Sequence, residues 1–305
     1  MTIKEIIAEL ADSDKPVFSS RLAELSDMSA EELELFERTW AALETNRRRQ
    51  VISRLVELAS DNFEFNFNSI FRNCLDDQDA AVRSEAIEGL WESEEPSLIG
   101  PLINLLENDS SEEVQAAAAT ALGKFAMLAE HEKLRPDHIT MVSQALLSII
   151  NEESKPVEIR RRTLEAVAPL SLPQVREAII KAYKSKNDRL KVSSIYAMGK
   201  NCDLSWLPIL LNELNNDDPE IRYEAAGACG ELEEVEAVPY LVNLVNDPDT
   251  DVRLAAIRTL GKIGGAEAKE RLKQCLNNPS RAVSQAAEQA LAEIESEEDP
   301  FSFKV

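Results

Sequence analysis

An imidazole beside a carboxylate suits iron, and this chain holds one such dipeptide, His131-Glu132. Its only other histidine, His138, lies in the same stretch, "FAMLAEHEKLRPDHIT". A dinuclear site cannot be assembled from one dipeptide and one further histidine. The four cysteines, Cys74, Cys202, Cys229 and Cys275, contain no C-x-x-C pair and read as reduced packing residues. No G-x-S-x-G, Walker or dinucleotide fingerprint occurs in the sequence. The residues therefore predict no catalytic group, no metal and no cofactor.

The chemically unusual side chain is Arg253, in "DTDVRLAAIRTLGKIG". It shares helical spacing with Ala256, Ile257 and Leu260, the pattern of one buried stripe, so its guanidinium emerges at the edge of a core. Such a charge is tolerable when it is paired and hydrogen-bonded. Asp249, Asp218 and Asp79 each stand four residues before an arginine and are the expected partners.

The phrase that carries this arginine recurs. "DPEIRYEAAGACGEL" and "NDRLKVSSIYAMGK" precede it and "SRAVSQAAEQALAEI" follows it, giving anchors at 48, 83, 115, 160, 191, 222, 253 and 284 with four consecutive spacings of 31. A second amphipathic segment lies between anchors, as in "LSWLPILLNELNND" and "EAVPYLVNLVND". Two helices per unit at a fixed period signal a solenoid. Asp218-Pro219, Asp247-Pro248 and Asn278-Pro279 each place a capping side chain before a proline suited to a first helical turn.

The D-x-x-V-R-x-x-A-A/I-x-x-L-G phrase resembles the HEAT repeat, in the short form also found in phycobilin-lyase-type subunits. The resemblance implies an all-α, right-handed α-solenoid of about eight two-helix repeats over residues 46–294. It also implies that second helices line a concave face, and that their arginines join a ladder with acids of the preceding turn. Residues 1–45 read as an N-terminal helical cap, with Leu33, Phe36, Trp40 and Leu43 at helical spacing. An insertion near 125–140 stretches one spacing to 45 and lengthens a helix or adds a loop. Residues 295–305, ending in "DPFSFKV", read as an acidic tail, either disordered or, through Phe301 and Phe303, a docking motif for a partner. No linker interrupts the repeats, which favours one continuous array.

Within the wider family the resemblance raises three chemistries. The metal-dependent hydroxylases use paired His-Glu motifs, and this chain has only one. The HEAT-like DNA glycosylases use a basic groove, and here the net charge is -23. That charge opposes nucleic acid and anionic membrane surfaces alike. The bilin lyases share the repeat, so a lyase or cofactor-handling assembly factor stays as the alternative to a non-enzymatic scaffold. "MTIKEIIAELADSD" lacks the basic start of a signal peptide, and no segment approaches 18 consecutive apolar residues, so a cytoplasmic location without membrane insertion is expected.

What remains is the face that does not pack. Positions +1, +5 and +9 from each anchor fall opposite the buried stripe and hold six bases and six acids, a neutral surface on an acidic chain. Tyr196, Tyr223 and Arg258 come from three consecutive units, with Arg161 one unit earlier and Lys200 and Lys262 beside them. Tyrosine and arginine favour binding hot spots, so this patch is the expected site for a protein or peptide partner of acidic or mixed charge. Trp91, where other repeats have a small residue, is expected to pack, and Trp206 to lie in the core.

Overall fold

The computed structural model describes residues 2–12 and 15–298, and among them every regular element is a helix. The chain divides into two compact units, Met1–Ala166 and Val167–Val305. The division falls at the end of a helix, which is why the sequence, scanned for linkers, reads as one uninterrupted array.

The first unit contains α1 (Ile3–Leu10), α2 (Ser19–Leu22), α3 (Ala30–Ala42), α4 (Thr45–Asp61), α5 (Asn68–Cys74), α6 (Ala80–Gly89), α7 (Ile99–Asn108), α8 (Glu112–Glu130), α9 (Pro136–Asn151) and α10 (Val157–Val167). The second contains α11 (Pro173–Tyr183), α12 (Asp188–Asn201), α13 (Leu207–Glu213), α14 (Pro219–Leu232), α15 (Val238–Leu244), α16 (Thr250–Ile263), α17 (Ala266–Cys275) and α18 (Arg281–Glu298). All eight anchors fall on the even-numbered helices from α4 to α18. The architecture is an α-solenoid. α4 packs on α6 and α6 on α8, while α12, α14, α16 and α18 stack in order, each backed by the helix before it.

Within the terminal region, α1 begins with a Thr2–Glu5 capping box and α3 with a Ser29–Glu32 box. Arg47 on α4 is buried and donates to the carbonyls of Leu10, Asp12 and Lys15. A cation is thereby placed at the C-terminus of α1, where the free carbonyls and the helix dipole favour it. The insertion lengthens α8 to 19 residues and gives α9 16, so it extends helices and does not form a long loop. α18 runs on to Glu298, which makes the first residues of the expected tail helical; residues 299–305 lie outside the described residues.

Close helix approach explains the repeated glycine. A Cβ added at Gly199 would sit 2.7 Å from Ala228 Cα, and one at Gly261 would sit 2.7 Å from Ala290 Cβ. These helices touch backbone to backbone, a separation that any larger side chain would force open.

The arginine ladder exists, but its carboxylates come from a different turn. Arg83 Nε and Nη2 each donate at 2.7 Å to Asp109, and Arg222 Nε and Nη2 each donate at 2.8 Å to Asp247. Arg48 makes the corresponding ion pair with Asp77 at 3.1 Å. The partner in each case belongs to the following turn, not the preceding one. Asp79, Asp218 and Asp249 are instead occupied as N-caps of α6, α14 and α16. The third arginine nitrogen faces back: Nη1 of Arg83, Arg222 and Arg253 donates to the carbonyls of Asp77, Asn216 and Asp247, six residues before each. Each complete arginine thus fastens its own turn to the next one.

Those turns share a second device. Oδ1 of Asp77, Asp109, Asn216, Asp247 and Asn278 accepts the backbone N–H two residues on, at 2.8–2.9 Å. This corrects the expected role of two prolines. Pro219 does open α14 behind its cap Asp218, but Pro248 and Pro279 lie inside the turn, because Asp247 and Asn278 are turn acceptors and α16 and α18 start only at Thr250 and Arg281.

Where the rung lacks its aspartate, the chain differs. Lys191 replaces arginine on α12 and reaches Glu213 at 3.4 Å. Glu213 is buried and also accepts from Tyr183 Oη at 2.5 Å and Asn216 Nδ2 at 2.6 Å. Burial pushes the Glu213 carboxyl up, and these hydrogen bonds outweigh it, leaving the group below its ordinary value. Burial and the same carboxylate push Tyr183 up to about 12.

Candidate protein-binding surface

Side chains on the exposed sides of α12, α14 and α16 meet at a groove of about 400 Å³ in the second unit. Tyr196, Lys200, Tyr223, Arg258 and Lys262 all line it, with Glu224, Glu231 and Glu293. The helices position them because the opposite stripe of each is buried: Ile195 and Met198 on α12, Ala225, Ala226 and Cys229 on α14, and Ala256, Ile257 and Leu260 on α16. Tyr196 and Tyr223 are 37 % and 36 % exposed, high for aromatic side chains in a repeat whose core excludes water.

The charges around the groove are not equivalent. Lys200 and Lys262 both reach Glu231, at 3.2 and 3.4 Å, and Lys262 also lies 3.6 Å from Glu233. Lys200 Nζ sits 5.7 Å from the centre of the Tyr196 ring. Arg258 is exposed and makes no ion pair among the described residues. The groove therefore offers two tyrosine rings, a guanidinium available to a carboxylate, and lysines already balanced by glutamate. Such an arrangement can bind.

Arg161 is not among the residues that line this groove. In the first unit it pairs with Glu158 at 2.9 Å and Glu165 at 3.5 Å on its own helix. The outward columns also contain two buried members, Pro169 and Val192.

Trp91 departs from expectation. It is 58 % exposed, with Lys124 Nζ 5.3 Å from its ring centre. α6 ends at Gly89, so residue 91 has left the helix whose face the spacing argument extrapolated. Trp206 is buried, donates its indole N–H to Asn201 at 3.0 Å and lies under Arg176. Cys74, Cys229 and Cys275 are buried, and burial pushes Cys229 up to about 12. Cys202 is exposed, because it ends α12 in the left-handed region at φ 53° and turns its side chain out of the stack. No group of three or more potential metal ligands occurs among the described residues. Nor is any described helix long and apolar enough to cross a membrane.

Gly227 stands in the outward columns but was not among the expected binding residues, and it too lines the groove. A Cβ there would meet nothing within 4 Å, unlike one at Gly199 or Gly261. The available signal was its place, five residues after an anchor where α12 and α16 carry Tyr196 and Arg258.

The family described as HEAT repeats matches residues 69–136 and 207–292, half of the chain. No curated protein sequence matches. Among solved structures, yeast importin-beta aligns over 96 % of this chain and 46 % of its own at a TM-score of 0.57, with 12 % identity. The same importin in a complex with RanGDP gives 0.56 at 14 % identity, with the same shares covered. The chain thus spans under half the length of these importins, and the likeness is one of fold. Human deoxyhypusine hydroxylase in complex with glycerol aligns over 96 % of this chain and 97 % of its own, at 16 % identity and a TM-score of 0.38. Given the matched repeats, the stacked helix pairs and the arginine rungs that tie their turns, this chain belongs to the HEAT-repeat family.

Proposed function

We propose that the protein is a non-enzymatic scaffold or adaptor that binds a protein partner through the groove around Tyr196, Tyr223 and Arg258. The observation that carries this reading is the convergence, on the second helices of three successive repeats, of two exposed tyrosines and an arginine that makes no ion pair among the described residues. Tyrosine and arginine bury large area on association while retaining polar contacts, and Lys200 and Lys262 form the polar rim expected of such a site. An importin of the same fold binds the protein RanGDP, in keeping with recognition by a helical-repeat surface. The partner is a protein or peptide and not a nucleic acid, because a chain of net charge -23 repels phosphate. The proposed setting is cytoplasmic.

The test replaces Tyr196, Tyr223 and Arg258 together with alanine. Helical circular dichroism should be unchanged while affinity capture of the stoichiometric partner from native lysate is lost. Capture that survives all three substitutions moves the site to another face.

A further inference from the structure

Equivalent positions on α12, α14 and α16 carry Tyr196, Gly227 and Arg258. The glycine leaves a gap one side chain wide between a tyrosine and a guanidinium. Nothing in the packing requires it. A Cβ at Gly199 or Gly261 would strike the neighbouring helix at 2.7 Å and one at Gly230 would crowd the Thr259 side chain at 3.2 Å, whereas at Gly227 it would meet no atom within 4 Å. Gly227 is exposed in the interior of α14, where glycine weakens a helix relative to alanine. Gly100 on α7 is equally open but does not line the groove, so what distinguishes Gly227 is open space within the groove.

We propose that Gly227 is the floor of a slot for an apolar side chain of the partner, and that Arg258 holds an Asp or Glu of the same segment. This rests on the binding reading above and specifies the chemistry of the ligand. The slot is lined by Tyr196 and Tyr223, with Ala228 and Ala255. Of the three cations around it, Lys200 and Lys262 are engaged by Glu231, and Arg258 has no ion pair among the described residues. A guanidinium takes a carboxylate bidentately, so the partner's acid seats there. Neighbouring helices lie roughly 10 Å apart, and three residues of extended chain span about 10 Å, so the acid stands within about three residues of the apolar side chain. Glu224 and Glu293, at the edges of the groove, act against a run of acids. The ligand is therefore a segment with one acid beside one apolar residue.

The experiment pans a random heptapeptide display library against the full 305-residue protein. The best enriched peptide is then titrated by fluorescence anisotropy against the wild type, Gly227→Ala, Gly227→Leu, Arg258→Met and the triple alanine variant. Enriched peptides should carry one Asp or Glu within about three residues of an apolar side chain. Gly227→Leu should weaken binding by at least about tenfold without lowering the melting temperature, and Gly227→Ala should raise that temperature with a smaller loss of affinity. Arg258→Met should erase the preference for Asp over Asn in the peptide. Failure to enrich any peptide, enrichment of basic or acid-free peptides, or unchanged binding to Gly227→Leu overturns the slot. If binding survives Gly227→Leu but is lost in the triple variant, the slot fails while the binding surface stands; if it survives both, the two readings fall together.

Discussion

Asn278→Asp should complete a missing rung. Arg222 and Arg253 are placed alike: Nη1 of each donates to the carbonyl six residues earlier, at 2.8 Å to Asn216 and 2.7 Å to Asp247. Arg222 then spends Nε and Nη2 on Asp247. Arg253 finds Asn278 at the matching place, and its Nη2 turns to Thr250 Oγ1 at 2.7 Å. Asn278 Oδ1 accepts from the Ser280 N–H at 2.9 Å, as Asp247 Oδ1 does from Asp249 at 2.8 Å, so an aspartate would arrive already oriented. Two hydrogen bonds to charged groups contribute roughly 1.5–3 kcal/mol each. Against them stand the desolvation of a new carboxylate and the lost Thr250 bond, so the net stabilisation is on the order of 1 kcal/mol. Urea denaturation of the wild type, Asn278→Asp, Arg253→Met and the double variant gives the coupling energy. The existing Arg222–Asp247 rung, taken through the same cycle, is the positive control. A coupling near zero for the new pair, with a clear one for the control, would refute the inference that these turns are interchangeable.

Of Arg222, Arg253 and Arg258, Arg222→Ala should be the most damaging, costing about 3 kcal/mol because the Asp247 carboxylate is left buried without its guanidinium. Arg253→Ala should cost about 1 kcal/mol, since it abandons carbonyls and a hydroxyl but no carboxylate. Arg258→Ala should change stability by no more than about 0.5 kcal/mol, and thermal melts in any other order would reject the face assignment. The pH dependence follows from Asp247, whose carboxyl burial pushes up but which the Arg222 hydrogen bonds and the Asp249 N–H hold below its ordinary value. A folded value below the unfolded one, which is about 3.9, means that the rung stabilises fully above that range and fades as pH falls through the folded value. The gap in urea midpoint between the wild type and Asp247→Asn should therefore be open at neutral pH and close in strong acid; a gap that widens with acidity would contradict it.

The repeat, its two helices and its buried stripe were legible because a period of 31 residues and a helical period act on the same apolar residues. Pairing across turns was not. Asp249 stands four residues from Arg253 and Asn278 stands 25, and proximity in sequence favours the first. Within a stack the next turn lies as close in space as the residue's own, and Asp249 is already committed to capping α16. A rule for the ladder had to come from comparing turns: Asp77, Asp109, Asn216, Asp247 and Asn278 all precede their helices at the same register, and three of the five are aspartates that an arginine can use.

The groove shows the same limit from the opposite side. Tyr196, Tyr223 and Arg258 could be placed together because residues at +1 and +5 of successive helices share a surface. Arg161 obeys that rule as well, yet Glu158 and Glu165 on its own helix claim its guanidinium, and a column count does not weigh such local partners. Gly227 was the harder case. Glycine in these helices has two opposed meanings: Gly199 and Gly261 admit a neighbouring backbone, and Gly227 admits nothing within the chain. Composition treats them alike. Only their phase separates them, since Gly199 and Gly261 stand eight residues after an anchor on the packed side, whereas Gly227 stands five after one on the open side. A small residue on the packed side serves the stack; on the open side it leaves room that the stack does not use, and recognition of another chain can.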